Sequence, residues 1–370
     1  MIAIADIRRD LHDHPGVSGD EWYAHDLVVS QLQECRPDRL FPHAGGFGVI
    51  AAWGTDASLP TVAVRCDIDA LSFGHRCGHD GHTAILLQLA RLIARQPLPA
   101  DRNTLLIFQP EEETGTGAQK ILDSEILSQY NIRAVIGLHN LPGFPIGDIV
   151  LSRHSFAAAS LGVVYRLSGR ATHASTPEKG ISPGPAVAHI IQRFGLLNSP
   201  PEAQGDDFRQ ATLVCVRVGE EAFGTAAGDA EVMFTLRAYS DGVLDSLLRE
   251  ANKIVGDTAS QYRLIHSHQI RDPFRATRND PQIVSHIETY CGRPCRHLHT
   301  PFRWSEDFAA YLAHYPGALF GIGAGENHVE LHHPDYDFPD ALIMPAAQTC
   351  YNILTAPVCP GGDTAGNTIL

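Results

Sequence analysis

The chain has 370 residues, enough for two domains that each bury a core. With 44% hydrophobic and 19% charged residues it reads as globular, and a formal net charge of -14 argues against nucleic acid as a partner. No apolar run approaches a membrane span and the start, MIAIADIRRDLHDHPG, is too charged for a secretory signal, so no membrane partner is expected. Eight cysteines, at 35, 66, 77, 215, 291, 295, 350 and 359, lack the spacing of a small disulfide-bonded domain. They suit a reducing, cytoplasmic setting.

The N-terminal part alternates helical patterns at 22–36, 83–95 and 117–129 with apolar runs at 61–71, 104–110 and 134–140. The runs are rich in β-branched and aliphatic residues, as buried strands are. Such alternation predicts an α/β fold, a mostly parallel sheet with helices on both faces. Each of the three strands ends in polar residues able to bind a metal, at the edge where open α/β sheets place their ligand crevice.

A second rhythm starts near residue 159. A strand at 161–168, a helix at 183–197, strands at 211–218 and 230–239, a helix at 242–256 and a strand at 262–270 follow one another. This β-α-β-β-α-β order predicts a ferredoxin-like α+β unit over 159–271, inserted into a metal-binding unit made of 1–158 and 272–370. The αβ alternation then resumes and runs to a last helix at 341–355. The ending PVCPGGDTAGNTIL reads as a loose tail.

The stretch CGHDGH (77–82) sets a thiol, two imidazoles and a carboxylate against the start of an apolar helix. A helix N-terminus favours thiolate over thiol, and Gly78 and Gly81 permit a tight backbone path. Taken alone, the stretch also admits a plainer, less favoured reading, a buried cysteine and a hydrogen-bonded histidine near a helix cap. FQPEEETGTGAQ (108–119) puts three glutamates directly after a buried strand. Of adjacent carboxylates facing a cation, one can ligate while the other accepts a proton from water. A solvated acidic turn is the plain alternative, and TGTGAQK lacks the Gly-Lys-Ser/Thr ending of a phosphate loop. His139 in GLHN, and His332 with His333 in LHHPDYDF, add imidazoles. Such a donor set suits zinc and admits manganese. CGRPCRHLH (291–299) also offers two cysteines and two histidines, without the spacing of a structural zinc site.

These motifs, with RRDLHDHPGVSGDE (8–21), RCDIDAL (65–71), GLHNLPGFPIG, GRATHASTPEKGISP and SEDF in order along nearly the whole chain, resemble the M20 metallopeptidase family. The likeness is to its amidohydrolase branch of N-acyl-amino-acid, hippurate and auxin-conjugate hydrolases. It implies two divalent metal ions per subunit, with Cys77 bridging and His79, Glu113, His139 and His332 as the other ligands. Because the family reads Phe-Gln-Pro-Ala-Glu-Glu, Glu111 falls on the alanine, Glu112 becomes the general base and Glu113 the ligand. His332, the histidine after leucine, is preferred over His333. His173 would reach from the inserted lid into a partner subunit's site and stabilise the oxyanion, implying a homodimer. Asp67, Asp69, Glu306 and Asp307 are expected to orient ligand histidines or to serve the fold.

The implied activity is cleavage of the amide bond of a small-molecule N-acyl amino acid or conjugate. Hydrolysis of short peptides and metal-dependent ligand binding without catalysis are the alternatives. Two departures stand out. Only SFGHR (72–76) separates the DAL and CGHD elements, where the family has a loop of some twenty residues. GTAAGDAE (224–231) replaces the family's Asn-Val-Ile-Pro run, so an asparagine tied to substrate contacts is missing.

Overall fold

A computed structural model of the chain describes residues 2–200, 203, 205 and 207–357. Its elements run α1 (Ile4–Asp13), α2 (Trp22–Cys35), β1 (Arg39–Phe41), β2 (Val49–Trp53), β3 (Pro60–Asp67), α3 (His79–Arg95), β4 (Asn103–Gln109), α4 (Gly117–Asp123) and β5 (Asn131–Pro142). After β6 (Ile149–Leu151) and β7 (Ser155–Ala157) come β8 (Ala159–Ser168), β9 (Thr172–His173), α5 (Gly184–Gly195) and β10 (Arg209–Val218). Next are β11 (Thr225–Ala226), β12 (Asp229–Ala238), α6 (Asp241–Gln261), β13 (Ile265–Phe274) and β14 (Thr277–Arg278). The chain returns through α7 (Pro281–Tyr290), β15 (Cys295–His297), α8 (Ala309–Leu312), β16 (Gly317–Gly325) and α9 (Ile343–Thr355).

Two compact units result. The first comprises the chain up to Phe156, Thr277–His299 and the stretch from Asp307 onward. Its eight-stranded sheet has the order β1-β2-β4-β3-β5-β16-β6-β15. The four central strands β4, β3, β5 and β16 run parallel, so their carboxyl ends lie at one edge. Those strands are buried almost throughout, as the Val, Leu, Ile and Ala runs demand of a sheet covered on both faces. Helix α3 is buried along most of its length, with Ala84, Leu86, Leu87 and Ala90 in the same core as Val64, Leu106 and Ile136.

The second unit is Ala157–Ala276 with Thr300–Glu306. Its sheet is antiparallel, ordered β10-β12-β8-β13, and α5 and α6 share one core with it through Ile190, Phe194, Leu247 and Val255. The alternation of elements puts Thr300–Glu306 with the first unit, but hydrogen bonds tie it to the second. Arg237 Nη1 donates to the Arg303 carbonyl at 2.9 Å, and Ser305 Oγ donates to Ser160 Oγ at 2.8 Å.

Other expectations shift locally. The helical pattern at 117–129 ends at Asp123, because Glu125 takes a left-handed φ of 58° and only a short 3-10 turn, Leu127–Gln129, follows. Helix α3 starts at His79, not 83, so the metal-capable side chains ride on its first turn. The tail from residue 358 lies outside the described residues. Among the described residues no helix is long and apolar enough to cross a membrane.

Candidate metal centre

The carboxyl edge of the central strands gathers the polar residues of the motifs. β3 ends on Asp67, β5 carries His139, and the turn after β4 presents Glu111, Glu112 and Glu113. Gly78 caps α3 at φ 93°, a conformation L side chains rarely adopt, and a Cβ there would sit 2.6 Å from Asn140 Oδ1. Gly81 is needed for a different reason from backbone freedom: a Cβ would lie 2.2 Å from the Phe338 ring.

Two groups of ligand atoms, each mutually within 4.8 Å, share one sulfur: Cys77–His79–His139 and Cys77–Glu113–His332. His79, Glu112 and Glu113 form another group of the same size. Cys77 Sγ is 3.7 Å from His139 Nε2, and Glu113 Oε1 is 3.9 Å from Nε2 of both His79 and His332. The fold thus brings all five expected ligands and Glu112 together. His333 turns elsewhere, its Nδ1 accepting the Asp335 amide at 3.1 Å. His173 lies in the second unit on β9, exposed, with Nδ1 2.7 Å from Ser175 Oγ.

Supporting contacts set the tautomers. His79 Nδ1 faces the Asp69 carbonyl at 3.1 Å and Asp69 Oδ1 at 3.3 Å, while His139 Nδ1 donates to the Asn140 carbonyl at 2.8 Å. Both rings therefore turn Nε2 toward the cluster. Asp69 Oδ2 also accepts the Glu113 amide at 3.0 Å and the Ser18 hydroxyl at 2.7 Å. Asp67 bonds His82 Nδ1 at 2.6 Å and takes the Arg65 guanidinium at 2.7 Å. Asp307 does not orient a histidine. It takes Arg65, Gln109 and the Ala118 amide, and its own amide donates to Glu112 Oε1 at 3.5 Å. Asp80, inside the motif, faces away from the cluster toward Arg8 and His12.

The residues fit a cation. His79 Nε2 and Glu113 Oε1 are buried without a hydrogen-bond partner. Leaving a buried polar atom unsatisfied costs about 1–3 kcal/mol, and a cation between them would satisfy both. Burial pushes the Cys77 thiol well above its ordinary value, with His79 opposing. Burial also works against charge on His79, but Asp67 and Cys77 outweigh it and the imidazole is raised. Burial, then His82, keeps His139 neutral, the form that can ligate.

Sequence reasoning overlooked three residues. Asn140 faces His82 Nε2 and donates through Nδ2 to the Tyr336 hydroxyl. Buried Glu21 accepts the Gly19 and Glu111 amides, each at 2.9 Å, and so fixes the turn on which Glu112 sits. Their signals were available: Asn140 follows His139 in GLHN, Tyr336 lies in LHHPDYDF, and Glu21 closes VSGDE.

Thiol, imidazole and carboxylate groups gathered at the carboxyl edge of such a sheet make a candidate metal centre. The chain belongs to peptidase family M20/M25/M40, whose model matches residues 65–356. It is 26% identical to an N-acetyl-L-cysteine deacetylase of Bacillus subtilis over 363 residues, covering 93% of this chain and 86% of that protein. It is likewise 27% identical to an IAA-amino acid hydrolase of Arabidopsis thaliana, over 86% of this chain and 76% of that one. In fold it resembles a dinuclear metal binding peptidase of the M20 family from Bacillus subtilis, with a TM-score of 0.82 and 23% identity. That match covers 97% of this chain and 98% of the other.

Proposed function

We propose that the chain hydrolyses the amide bond of a small N-acyl amino acid or amino-acid conjugate, using two divalent cations, zinc or manganese. The observation that carries this reading is the sharing of Cys77 by two three-residue ligand groups. Cys77, His79, His139, Glu113 and His332 are the residues that would hold the cations. When bound, the cations supply the charge that acidifies a water and polarises the amide carbonyl. The Glu112 carboxylate would serve as general base toward the attacking water and as proton donor to the leaving amine nitrogen. Asp69 and the Asn140 carbonyl hold the two imidazoles in their ligating tautomers. Asp307, through its amide, steadies Glu112.

Support for this substrate class comes from the relatives, whose names specify N-acetyl-L-cysteine and IAA-amino acid as what they act on. A base beside the ligands argues against a purely binding role. The reading also makes the second unit a lid and dimerisation unit that lends His173 to the partner's site as an oxyanion donor. It places the enzyme in a reducing, cytoplasmic setting.

The test is turnover on N-acetyl, N-benzoyl and dipeptide substrates, after chelation and with zinc or manganese restored. N-acyl amino acids should be cleaved, activity should vanish with chelator and return with metal. Cleavage of dipeptides alone, or turnover indifferent to chelator, would overturn the proposal.

A further inference from the structure

Outside the metal cluster, one pair of reactive side chains has no part in the function above. Cys291 caps the carboxyl end of α7, and Cys295 opens β15, the last strand at one end of the large sheet. Gly292, at φ 69°, turns the chain back between them, and the two sulfurs stand 3.3 Å apart as free thiols. Cys291 is buried in the core while Cys295 is only partly covered. Around them lie carbonyls, with Cys291 Sγ 3.4 Å and Cys295 Sγ 3.6 Å from the Arg293 oxygen. The nearby imidazole of His297 is engaged by Glu288 at 2.9 Å. The pair is therefore placed for sulfur–sulfur chemistry more than for holding a metal.

We propose that Cys291 and Cys295 form a reversible disulfide, a redox modification site that ties the end of α7 to the edge strand β15. The co-reactant is a small-molecule disulfide such as oxidised glutathione. Cys295, the accessible thiol, loses its proton and attacks one sulfur of that disulfide, releasing one small thiolate and leaving a mixed disulfide. Cys291 then loses its proton and attacks the Cys295 sulfur, releasing the second thiolate. The two protons end on the two released thiols, and the protein dithiol is oxidised as the small disulfide is reduced. Burial, then the neighbouring thiol, pushes Cys295 up to about 12, so exchange is slow at neutral pH and is read at equilibrium.

The sequence offers a clean readout. Trypsin does not cut between Arg293 and Pro294, so both cysteines fall in one peptide, residues 279–296. The full-length protein is equilibrated at pH 8 in a series of reduced and oxidised glutathione, free thiols are alkylated, and that peptide is weighed. Under oxidising poise it should carry no alkyl group and be about 2 Da lighter than the dithiol, a change reversed by dithiothreitol. Cys291→Ser should stop at a glutathione adduct on Cys295, and Cys295→Ser should leave Cys291 reduced. A wild-type peptide that takes two alkyl groups across the whole series, or glutathione on either cysteine without ring closure, would overturn the proposal. So would protection of both thiols by zinc that chelator removes. The wild-type measurement stands even if a variant fails to fold.

Discussion

Glu112 and Glu113 are neighbours in sequence with separate work to do. Glu113 Oε1 lies 3.9 Å from two imidazole nitrogens, whereas Glu112 receives the Asp307 amide. Replacing Glu112 with Gln should leave metal content near wild type and lower kcat by about 10²–10⁴, since a neutral amide cannot take the proton. Glu113→Gln should lower metal occupancy as well. Glu111 points at Lys120 and Thr116, so Glu111→Gln should keep most turnover. Metal analysis beside steady-state rates checks all three, and a dead Glu111→Gln with an active Glu112→Gln would shift the assignment by one residue. At this scale the sequence was most legible where ligands sit in short dense motifs, as Cys77 and His79 do. Glu21 was not legible, because one acid in VSGDE has no spacing partner and its work is done on the backbone of a turn ninety positions away.

The element that matters most is the turn after β4. Glu111 there adopts a left-handed φ of 53°, and buried Glu21 holds its amide. Burial raises the Glu21 carboxyl to about 7, against an ordinary value of 4.5. Between those two values the unfolded chain has released this proton while the folded chain keeps it. Stability of the metal-free protein should therefore fall as pH rises through that window and level off above it, by at most about 1.4 kcal/mol per pH unit from this group. Glu21→Gln keeps an oxygen for both amides but has no proton to lose. Its stability relative to wild type should grow between pH 4.5 and 7, as denaturant titrations in chelator would measure; a difference constant with pH would refute this. Apolar periodicity placed α3, β3 and β4 within a few residues, because burial on a sheet leaves a strong pattern. It overran α4, since periodicity does not register the single left-handed residue at Glu125 that ends the helix.

At the scale of the whole molecule the question is whether one chain makes a complete site. His173 is exposed on the two-residue strand β9 of the second unit, whose sheet ends in β10 and β13. Among the described residues neither edge is paired further, and β13 is exposed along nearly its full length. Pairing of such edges across a two-fold axis would cover them, and the chain is expected to be a dimer in solution. Mixing inactive His173→Ala with inactive Glu112→Gln should restore activity. With random exchange from equal amounts, about a quarter of all sites would hold both intact residues. Mass-tagged wild-type subunits report whether exchange took place, and silence despite exchange would return His173 to its own chain or to no role.

The order of the large sheet also bears on how the protein is made. β5 and β6 are adjacent in sequence, yet β16 lies between them in the sheet and arrives only after the second unit and α7. On the ribosome the growing sheet therefore carries a missing slat, with the backbone groups of β5 and β6 unpaired on either side. At about 5–20 residues per second the gap stays open for on the order of ten seconds. The four-stranded sheet of the second unit has its last strand by Phe274, before β16 is made, although the unit gains Thr300–Glu306 only later. His332 follows β16, so the nascent hydrolase acquires its last candidate ligand only as the slat slides home. A chain released early would lack β16 and His332, leaving the facing edges of β5 and β6 open and the candidate metal centre one ligand short.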